Sequence, residues 1–200
     1  MPEIKTAASN PVTEQFAKGY LARLTEVLKS VDPSRVAQVG DLLHRARAEG
    51  RQVLLMGNGG SASTASHAAV DLGKGCSRGR EKRFRVICLN DCIPWMTAIS
   101  NDISYEEVFA EQLRNHARPG DVVIAISGSG NSKNILSALR AANEIGCETV
   151  GLSGYEGGKL KDLVKHHILV RENHMGRIED AHMIVVHILV YGFMDTEGMG

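Results

Sequence analysis

The segment VLLMGNGGSASTASHAAVDLGKG, residues 53–75, places a short apolar run before a turn of glycines and serines and a helical pattern after it. The run at residues 53–56 is continuous rather than alternating, which is typical of a strand covered on both faces of a parallel sheet. Glycines such as Gly59 let a turn approach a ligand closely, and Ser61 offers a hydroxyl donor. The segment therefore predicts a strand, a ligand-binding turn and a helix in succession.

Further apolar runs repeat this arrangement, and helical patterns lie between them. The runs span residues 86–89, 122–126, 149–152 and 168–170. In the helical pattern at 131–146, Ile135, Leu139 and Ala142 fall on one face, and Gly146 supplies a stop. Strands that alternate with helices imply right-handed crossovers, so the sequence predicts an α/β fold with a parallel sheet between helical layers.

Helical patterns also lie outside this repeat, at residues 13–30, 32–50 and 177–196. The first two form an N-terminal helical pair that packs either against a neighbouring subunit or on its own sheet. The last helix is apolar nearly all round, which favours the core of an oligomer. Because no repeat or linker divides the chain, we expect a single domain over residues 1–200, with the N-terminal helices at 1–50 and the αβα core at 51–200.

The charge balance and the apolar segments limit the kinds of partner. Lys plus Arg and Asp plus Glu number 23 each, so no overall field attracts nucleic acid. No segment approaches the roughly 20 apolar residues of a membrane span, and the N-terminus lacks the order of a signal peptide. The four cysteines show no CxxC spacing and read as core thiols. We expect a cytoplasmic protein with a small-molecule ligand, no nucleic-acid partner and no membrane partner.

A second turn, SGSGNS at residues 127–132, follows the third predicted strand. In a parallel sheet such turns meet at the carboxyl ends of the strands, where helix N-termini present free N–H groups. Hydroxyls from Ser127, Ser129 and Ser132, with a close approach at Gly128, would suit a phosphate group without a lysine. Neither turn matches a P-loop or a dinucleotide fingerprint. Two tight turns with helix caps are the alternative interpretation.

A family resemblance narrows these expectations. It rests on four stretches, in order and spacing: GNGGSASTASHAAVDL, ISNDISYEEVFAEQL, GDVVIAISGSGNSKNILSALRAANEIG and RIEDAHMIVVHIL. They resemble the phosphoheptose isomerase family of the sugar isomerase (SIS) fold. The resemblance implies a flavodoxin-like, three-layer αβα sandwich with a five-stranded parallel sheet. It also implies a homotetramer that converts D-sedoheptulose 7-phosphate into D-glycero-D-manno-heptose 7-phosphate, the first step of ADP/GDP-heptose biosynthesis.

The resemblance also implies which residues form the site. The substrate-binding set, with the three serines holding the phosphate, would be Asn58, Gly59, Ser61, Asp102, Ser127, Gly128, Ser129, Ser132 and Glu179. The metal set, for one zinc ion per subunit, would be His67, Asp71, Glu179 and His187.

The chemistry requires a base that removes a proton from carbon and a second group that moves protons between the oxygens. We assign these roles to Asp71 and His187, with a cation or a donor to stabilise the oxyanion. His67 and Asp71 are four residues apart and share one helix face. Glu179 and His187 are about 12 Å apart along a regular helix. Both would reach one ion if the turn after Gly176 is distorted or if, as we expect, the site lies at a subunit interface.

Two positions depart from the family pattern, which usually has Glu at position 71 and Gln at position 179. The shorter carboxylate of Asp71 and the added charge of Glu179 leave room for an isomerase of another phosphosugar. A non-catalytic relative, resembling the replication-initiator-associating proteins of this fold, is a further alternative. Those relatives lack the carboxylate and the imidazole that Asp71 and His187 retain. His182 reads either as a partner behind the site or as a surface residue.

Overall fold

The computed structural model describes residues 11–197, so the first ten and the last three residues of the expected domain lie outside the description. Five parallel strands form one sheet in the order β2-β1-β3-β4-β5. The strands are β1 (Gln52–Gly57), β2 (Arg85–Cys88), β3 (Val122–Ser127), β4 (Glu148–Ser153) and β5 (His166–Leu169). The α-helices are α1 (Glu14–Lys29), α2 (Pro33–Ala48), α3 (Gly60–Val70), α4 (Ile93–Asp102), α5 (Ala110–His116), α6 (Lys133–Ile145) and α7 (Met175–Glu197).

Helices cover both faces of the sheet, and the predicted three-layer αβα sandwich is confirmed. Alternate residues of β1 point to opposite faces: Leu55 joins the apolar cluster under α2, α3 and α7, while Leu54 joins the cluster under α4, α5 and α6. All five predicted strands are present. Residues 93–116, for which no helix was predicted, form α4 and α5 with a short 3-10 turn between them.

The N-terminal helical pair begins at side-chain caps. The backbone N–H of Phe16 donates to the Thr13 hydroxyl at 3.1 Å at the start of α1. Asp32 accepts from the backbone N–H of Ser34 at 2.8 Å before α2. Buried residues of α2 such as Leu43 belong to the cluster on the chain's own sheet. Of the two alternatives for this pair, covering its own sheet therefore holds for α2.

The last helix is buried along one side and exposed along another. Val185 is 1% exposed, whereas Ile188 and Tyr191 are 53% and 48% exposed. Despite this apolar composition, none of the helices within residues 11–197 has the length and hydropathy needed to cross a bilayer.

A buried carboxylate holds the start of α7. The Glu172 side chain is 1% exposed and accepts from Arg23 Nε at 2.9 Å. It also accepts from the backbone N–H groups of Asn173 and His174 at 2.8 and 3.1 Å, and from Arg177 at 3.3 Å. Burial alone would raise the pKa of Glu172, but these donors outweigh burial and lower it to about 2. The network ties α1 and the loop after β5 to the helix that carries Glu179 and His187.

We therefore expect Glu172→Gln to lower the free energy of unfolding by about 3 kcal/mol near neutral pH. Because the pKa is lower in the folded protein, the stabilisation is complete above the ordinary value of 4.5 and is lost as the pH falls toward about 2. Urea unfolding near pH 7 and near pH 3 should show a wild-type advantage that narrows at the lower pH. Glu156→Gln is the control, since Glu156 is 85% exposed and pairs only with Arg171 in the described structure. An equal loss at both pH values would contradict this account.

Candidate functional site

The turn after β1 is shaped by a close approach of backbone to backbone. A Cβ atom on Gly57 would lie 2.4 Å from the carbonyl oxygen of Ser61, so only glycine fits there. Gly59 has a φ of 55° and stands at the N-cap of α3. The Asn90 side chain, in the turn that follows the neighbouring strand β2, holds this turn because it accepts from the Gly57 N–H at 3.1 Å and donates to the Gly57 carbonyl at 2.9 Å. The predicted ligand-binding turn is therefore rigidly supported, and Ser61 within it is buried.

Asn58 joins this turn to the one after β3. Its side-chain amide and that of Asn134 bond reciprocally, each Nδ2 donating to the other's Oδ1 at 2.9 Å. The Tyr105 hydroxyl also donates to Asn58 Oδ1 at 2.9 Å. Tyr105 and Asn134 were not predicted as site residues, although both lie within the stretches that carry the family resemblance. Asp102, the predicted sugar contact, is exposed at the end of α4 and accepts from the neighbouring Asn101.

The serine turn, residues 127–132 after β3, is held by hydrogen bonds among its own side chains and backbone and by close contact with α7. The Ser127 hydroxyl donates to that of Ser132 at 3.3 Å, and the Ser129 hydroxyl accepts from the Asn131 N–H at 3.2 Å. Ser132 occupies the N-cap of α6 without forming a side-chain cap, so its hydroxyl does not satisfy the first N–H groups of the helix. A Cβ on Gly128 would lie 2.5 Å from Met175 Sδ of α7. These hydroxyls and helix N–H groups form an arrangement suited to an anion.

Three of the four predicted metal ligands meet further toward the C-terminus, at the end of α3 and in the middle of α7. His67 Nε2 lies 3.1 Å from Asp71 Oδ2 and 3.0 Å from His187 Nε2. One ligand atom from each of the three residues lies within 4.8 Å of the other two. Asp71 also opens a short π-helical segment, Asp71–Gly75, at the end of α3. Such widened turns are frequent at functional sites because they redirect side chains.

The cluster fits a divalent cation of intermediate softness. Two ligand atoms bound to a tetrahedral Zn²⁺ lie about 3.3 Å apart, close to the separations seen between these three side chains. Two imidazoles and one carboxylate, with a fourth position left open, are typical of catalytic rather than structural zinc sites. The residues present could therefore hold a metal ion.

Glu179 does not join this cluster in the structure. A Cβ on Gly60 would lie 2.5 Å from both Glu179 carboxylate oxygens, so the side chain rests on the first turn of α3. The positive end of the helix dipole favours a carboxylate there. Glu179 thus lies beside the glycine turn, as its predicted substrate role requires, rather than beside His67 and Asp71.

The parallel packing of α3 and α7 explains this separation. Gly60 meets Glu179 near the start of both helices, and His67 meets His187 two turns later. The two spacings are similar, about 10 Å for the seven residues on α3 and about 12 Å for the eight residues on α7. Since α7 is continuous from Met175, the alternative of a distorted turn after Gly176 is not observed. His67, Asp71 and His187 meet within one chain, so their assembly does not require a neighbouring subunit.

His182 lies on the side of α7 that faces the sheet. It is 1% exposed, and neither ring nitrogen has a hydrogen-bond partner among the described residues. Burial lowers its pKa to about 4 and outweighs the opposing effect of the Ser153 backbone. The alternative of a surface residue is therefore wrong, and His182 is a neutral core histidine near physiological pH.

Residues 15–154 match the family model described as SIS domain. A phosphoheptose isomerase of Geotalea daltonii is 40% identical over 155 residues, which cover 78% of this chain and 80% of that protein. A probable phosphoheptose isomerase of Thermoplasma acidophilum is 34% identical over 173 residues, covering 86% and 94%. The solved structure of a phosphoheptose isomerase from Neisseria gonorrhoeae superimposes with a TM-score of 0.82 at 28% identity, covering 92% of this chain and 98% of the other.

Proposed function

Because the chain belongs to the phosphoheptose isomerase family of SIS-domain proteins, we propose that it is a single-domain isomerase that converts D-sedoheptulose 7-phosphate into D-glycero-D-manno-heptose 7-phosphate. The observation that carries this proposal is the meeting of Asp71, His67 and His187 beside two turns suited to a phosphosugar. A non-catalytic binding protein of this fold would not need that cluster.

The two turns divide the substrate between them. Ser127, Ser129 and Ser132 hold the phosphate, assisted by the N-terminal N–H groups of α6 and the close approach at Gly128. Asn58 and the turn around Gly59 contact the sugar end. The reciprocal amide bonds between Asn58 and Asn134 support this division, because they keep the two turns at a constant distance. Glu179, above the first turn of α3, accepts from sugar hydroxyls.

The reaction moves the carbonyl from C2 to C1 through an enediolate. Asp71 takes the proton from C1, and the electrons of the broken C–H bond form the C1=C2 double bond as the C2 oxygen takes up negative charge. Asp71 then returns the proton to C2. His187 transfers a proton between the two oxygens, donating to O2 and accepting from O1. One side-chain atom of Asp71 lies within 4.8 Å of a ring nitrogen of His187, which supports their action on adjacent carbon and oxygen atoms of one substrate.

His67, Asp71 and His187 would also hold the metal ion, for which we propose zinc, one per subunit. When bound, the ion stabilises the negative charge on the enediolate oxygens. His67 supports this role, since its Nε2 lies within 3.1 Å of Asp71 Oδ2 and within 3.0 Å of His187 Nε2.

We further propose a homotetramer in the cytoplasm. Val70, Ile188 and Tyr191 adjoin the metal cluster in sequence and are 62%, 53% and 48% exposed, so a second copy on this face would exclude water from the site. The cytoplasmic location is supported by four free thiols, Cys76, Cys88, Cys92 and Cys147, within residues 11–197.

The proposed reaction can be followed by NMR with sedoheptulose 7-phosphate in D2O. We expect the heptose 7-phosphate to accumulate with deuterium at C2, because a carboxylate base exchanges its proton with solvent during the enediolate lifetime. Parallel incubations with a pentulose phosphate and a hexulose phosphate are the controls for substrate class. Absence of product with sedoheptulose 7-phosphate would overturn the proposed substrate. If only another ketose phosphate is turned over, the proposed isomerase chemistry would be supported but the substrate would be that sugar phosphate.

A further inference from the structure

A second polar pocket lies away from the site described above, at the outer edge of the sheet. It has a volume of about 380 Å³ and sits between the edge strand β5, the residues that follow it and the N-terminus of α2. Its lining residues are Ser30, Asp32, Arg35, Lys165, His167, Ile168, Leu169 and Arg171. The strand β3, which carries the serine turn, is two strands away in the sheet, about 10 Å at the usual strand spacing.

Positive charge converges on this pocket. Arg35, Lys165 and Arg171 outnumber the single acid Asp32 among the lining residues. Arg35 and Arg171 share this lining with His167, and the pKa of His167 is lowered first by its burial and then by the charges of Lys161, Arg35 and Arg171. A concave surface focuses such a field, so an anion in the pocket would be attracted by several cations at once.

The only acid in the lining is already engaged. Asp32 accepts from both the backbone N–H and the hydroxyl of Ser34, at 2.8 and 2.7 Å, as the cap of α2. Asp32 caps the 16-residue helix α2, so its negative charge is offset by the positive end of the α2 dipole at the rim of the pocket.

Two of the three cations in the lining, Arg35 and Arg171, have only weak or exposed partners and remain able to bind an anion. Arg35 donates to the neutral Gln38 at 3.4 Å, and Arg171 pairs with Glu156, whose side chain is 85% exposed. Such an exposed pair is easily exchanged for a better acceptor. Lys165 is more firmly held, since it donates to Glu148 and to the Cys147 carbonyl at 2.8 Å each. Arg35 and Arg171 are therefore the residues expected to bind an incoming anion.

We propose that this pocket is a second anion-binding site, for a small molecule that carries a phosphate or diphosphate group. The volume fits a small ligand rather than a polymer, and planar guanidinium groups bind phosphate oxygens in pairs. His167, whose Nε2 lies 2.7 Å from the Ser153 hydroxyl, is partly buried and lines the site. This inference does not depend on the isomerase reaction.

The test is isothermal titration with inorganic pyrophosphate at low ionic strength. The serine turn is also expected to bind phosphate, so the titration is made in a Ser132→Asp background, where a carboxylate repels anions from that turn. We expect one remaining site there, and at least a tenfold rise in Kd when Arg35→Gln and Arg171→Gln are added. Arg140→Gln, at an exposed position on α6, is the matched control and should leave the Kd within twofold.

Two results would overturn the proposal. One is that the Ser132→Asp protein binds no pyrophosphate, and the other is that the two arginine substitutions change its Kd no more than Arg140→Gln does. In the chain with an intact Ser132, Arg35→Gln with Arg171→Gln should leave isomerase turnover within twofold. Failure of turnover in all proteins, with pyrophosphate binding intact, would separate a failure of the proposed reaction from a failure of this site.

Discussion

Replacing Asp71 by Asn is expected to lower kcat for sedoheptulose 7-phosphate about 10³-fold, because an amide cannot take a proton from carbon. The change keeps the size of the side chain, so α3 and the contact with His67 should persist. KM should change little, since the phosphate is held by the serine turn. The measurements are steady-state kinetics and the rate at which solvent deuterium enters C2.

Two companion variants separate the base from other roles of the carboxylate. Asp91→Asn is the matched control: Asp91 is exposed in the loop after β2 and accepts from the hydroxyl of Ser66 in α3 at 2.6 Å, so its loss should leave kcat within twofold. Asp71→Glu keeps the charge and should retain far more activity than Asp71→Asn. Zinc content, measured on each purified protein, shows whether a loss follows the metal. Normal kcat in Asp71→Asn with zinc bound would exclude Asp71 as the base.

Most of the fold could be predicted because local signals and tertiary packing agree. Each strand contains or overlaps a short apolar run, and α6 ends at Gly146, which has the left-handed φ of 93° that such a stop requires. The helices at 93–116 were not assigned, since α4 and α5 are short and carry weaker periodicity. Their place is set by packing on the sheet, which sequence spacing does not report.

The types of residue in the site could be predicted from the sequence, but which of them contact one another could be predicted less well. His67 and Asp71 share a helix face at a spacing of four, so their contact follows from sequence alone. Glu179 lies at the glycine turn whereas His187 joins the metal cluster. This difference follows from the parallel packing of α3 and α7, which is a tertiary property. For the same reason Tyr105 and Asn134 were not identified, since only the folded chain brings them to Asn58.

Histidine burial was the least predictable feature. His182 and His167 lie on a helix and a strand whose polar residues usually face solvent, yet one is 1% exposed and the other is half-buried beside Ser153. Imidazole is intermediate in its preference for burial, so sequence composition gives little guidance.

A substitution at Gly130, in the serine turn after β3, is expected to lower both stability and substrate affinity. Gly130 has a φ of 65°, and a Cβ there would lie 2.1 Å from the carbonyl oxygen of Gly157 in the loop after β4. The obstacle is backbone, so no rotamer change relieves it. We expect Gly130→Ala to lower the free energy of unfolding by about 4 kcal/mol, the range of severe backbone and packing conflicts. The turn would move away from the β4 loop, displacing Ser129 and raising KM at least tenfold.

Gly50→Ala separates the cost of the backbone angle from that of the overlap. Gly50 has a φ of 68°, close to that of Gly130, but nothing lies within 4 Å of its virtual Cβ. It should therefore lose only about 1 kcal/mol, the cost of a left-handed angle in a residue with a side chain, and keep KM unchanged. Urea unfolding and steady-state kinetics on both variants give the comparison. Equal losses of stability in the two proteins, or an unchanged KM in Gly130→Ala, would mean that the contact between the serine turn and the β4 loop does not hold the turn in its binding conformation.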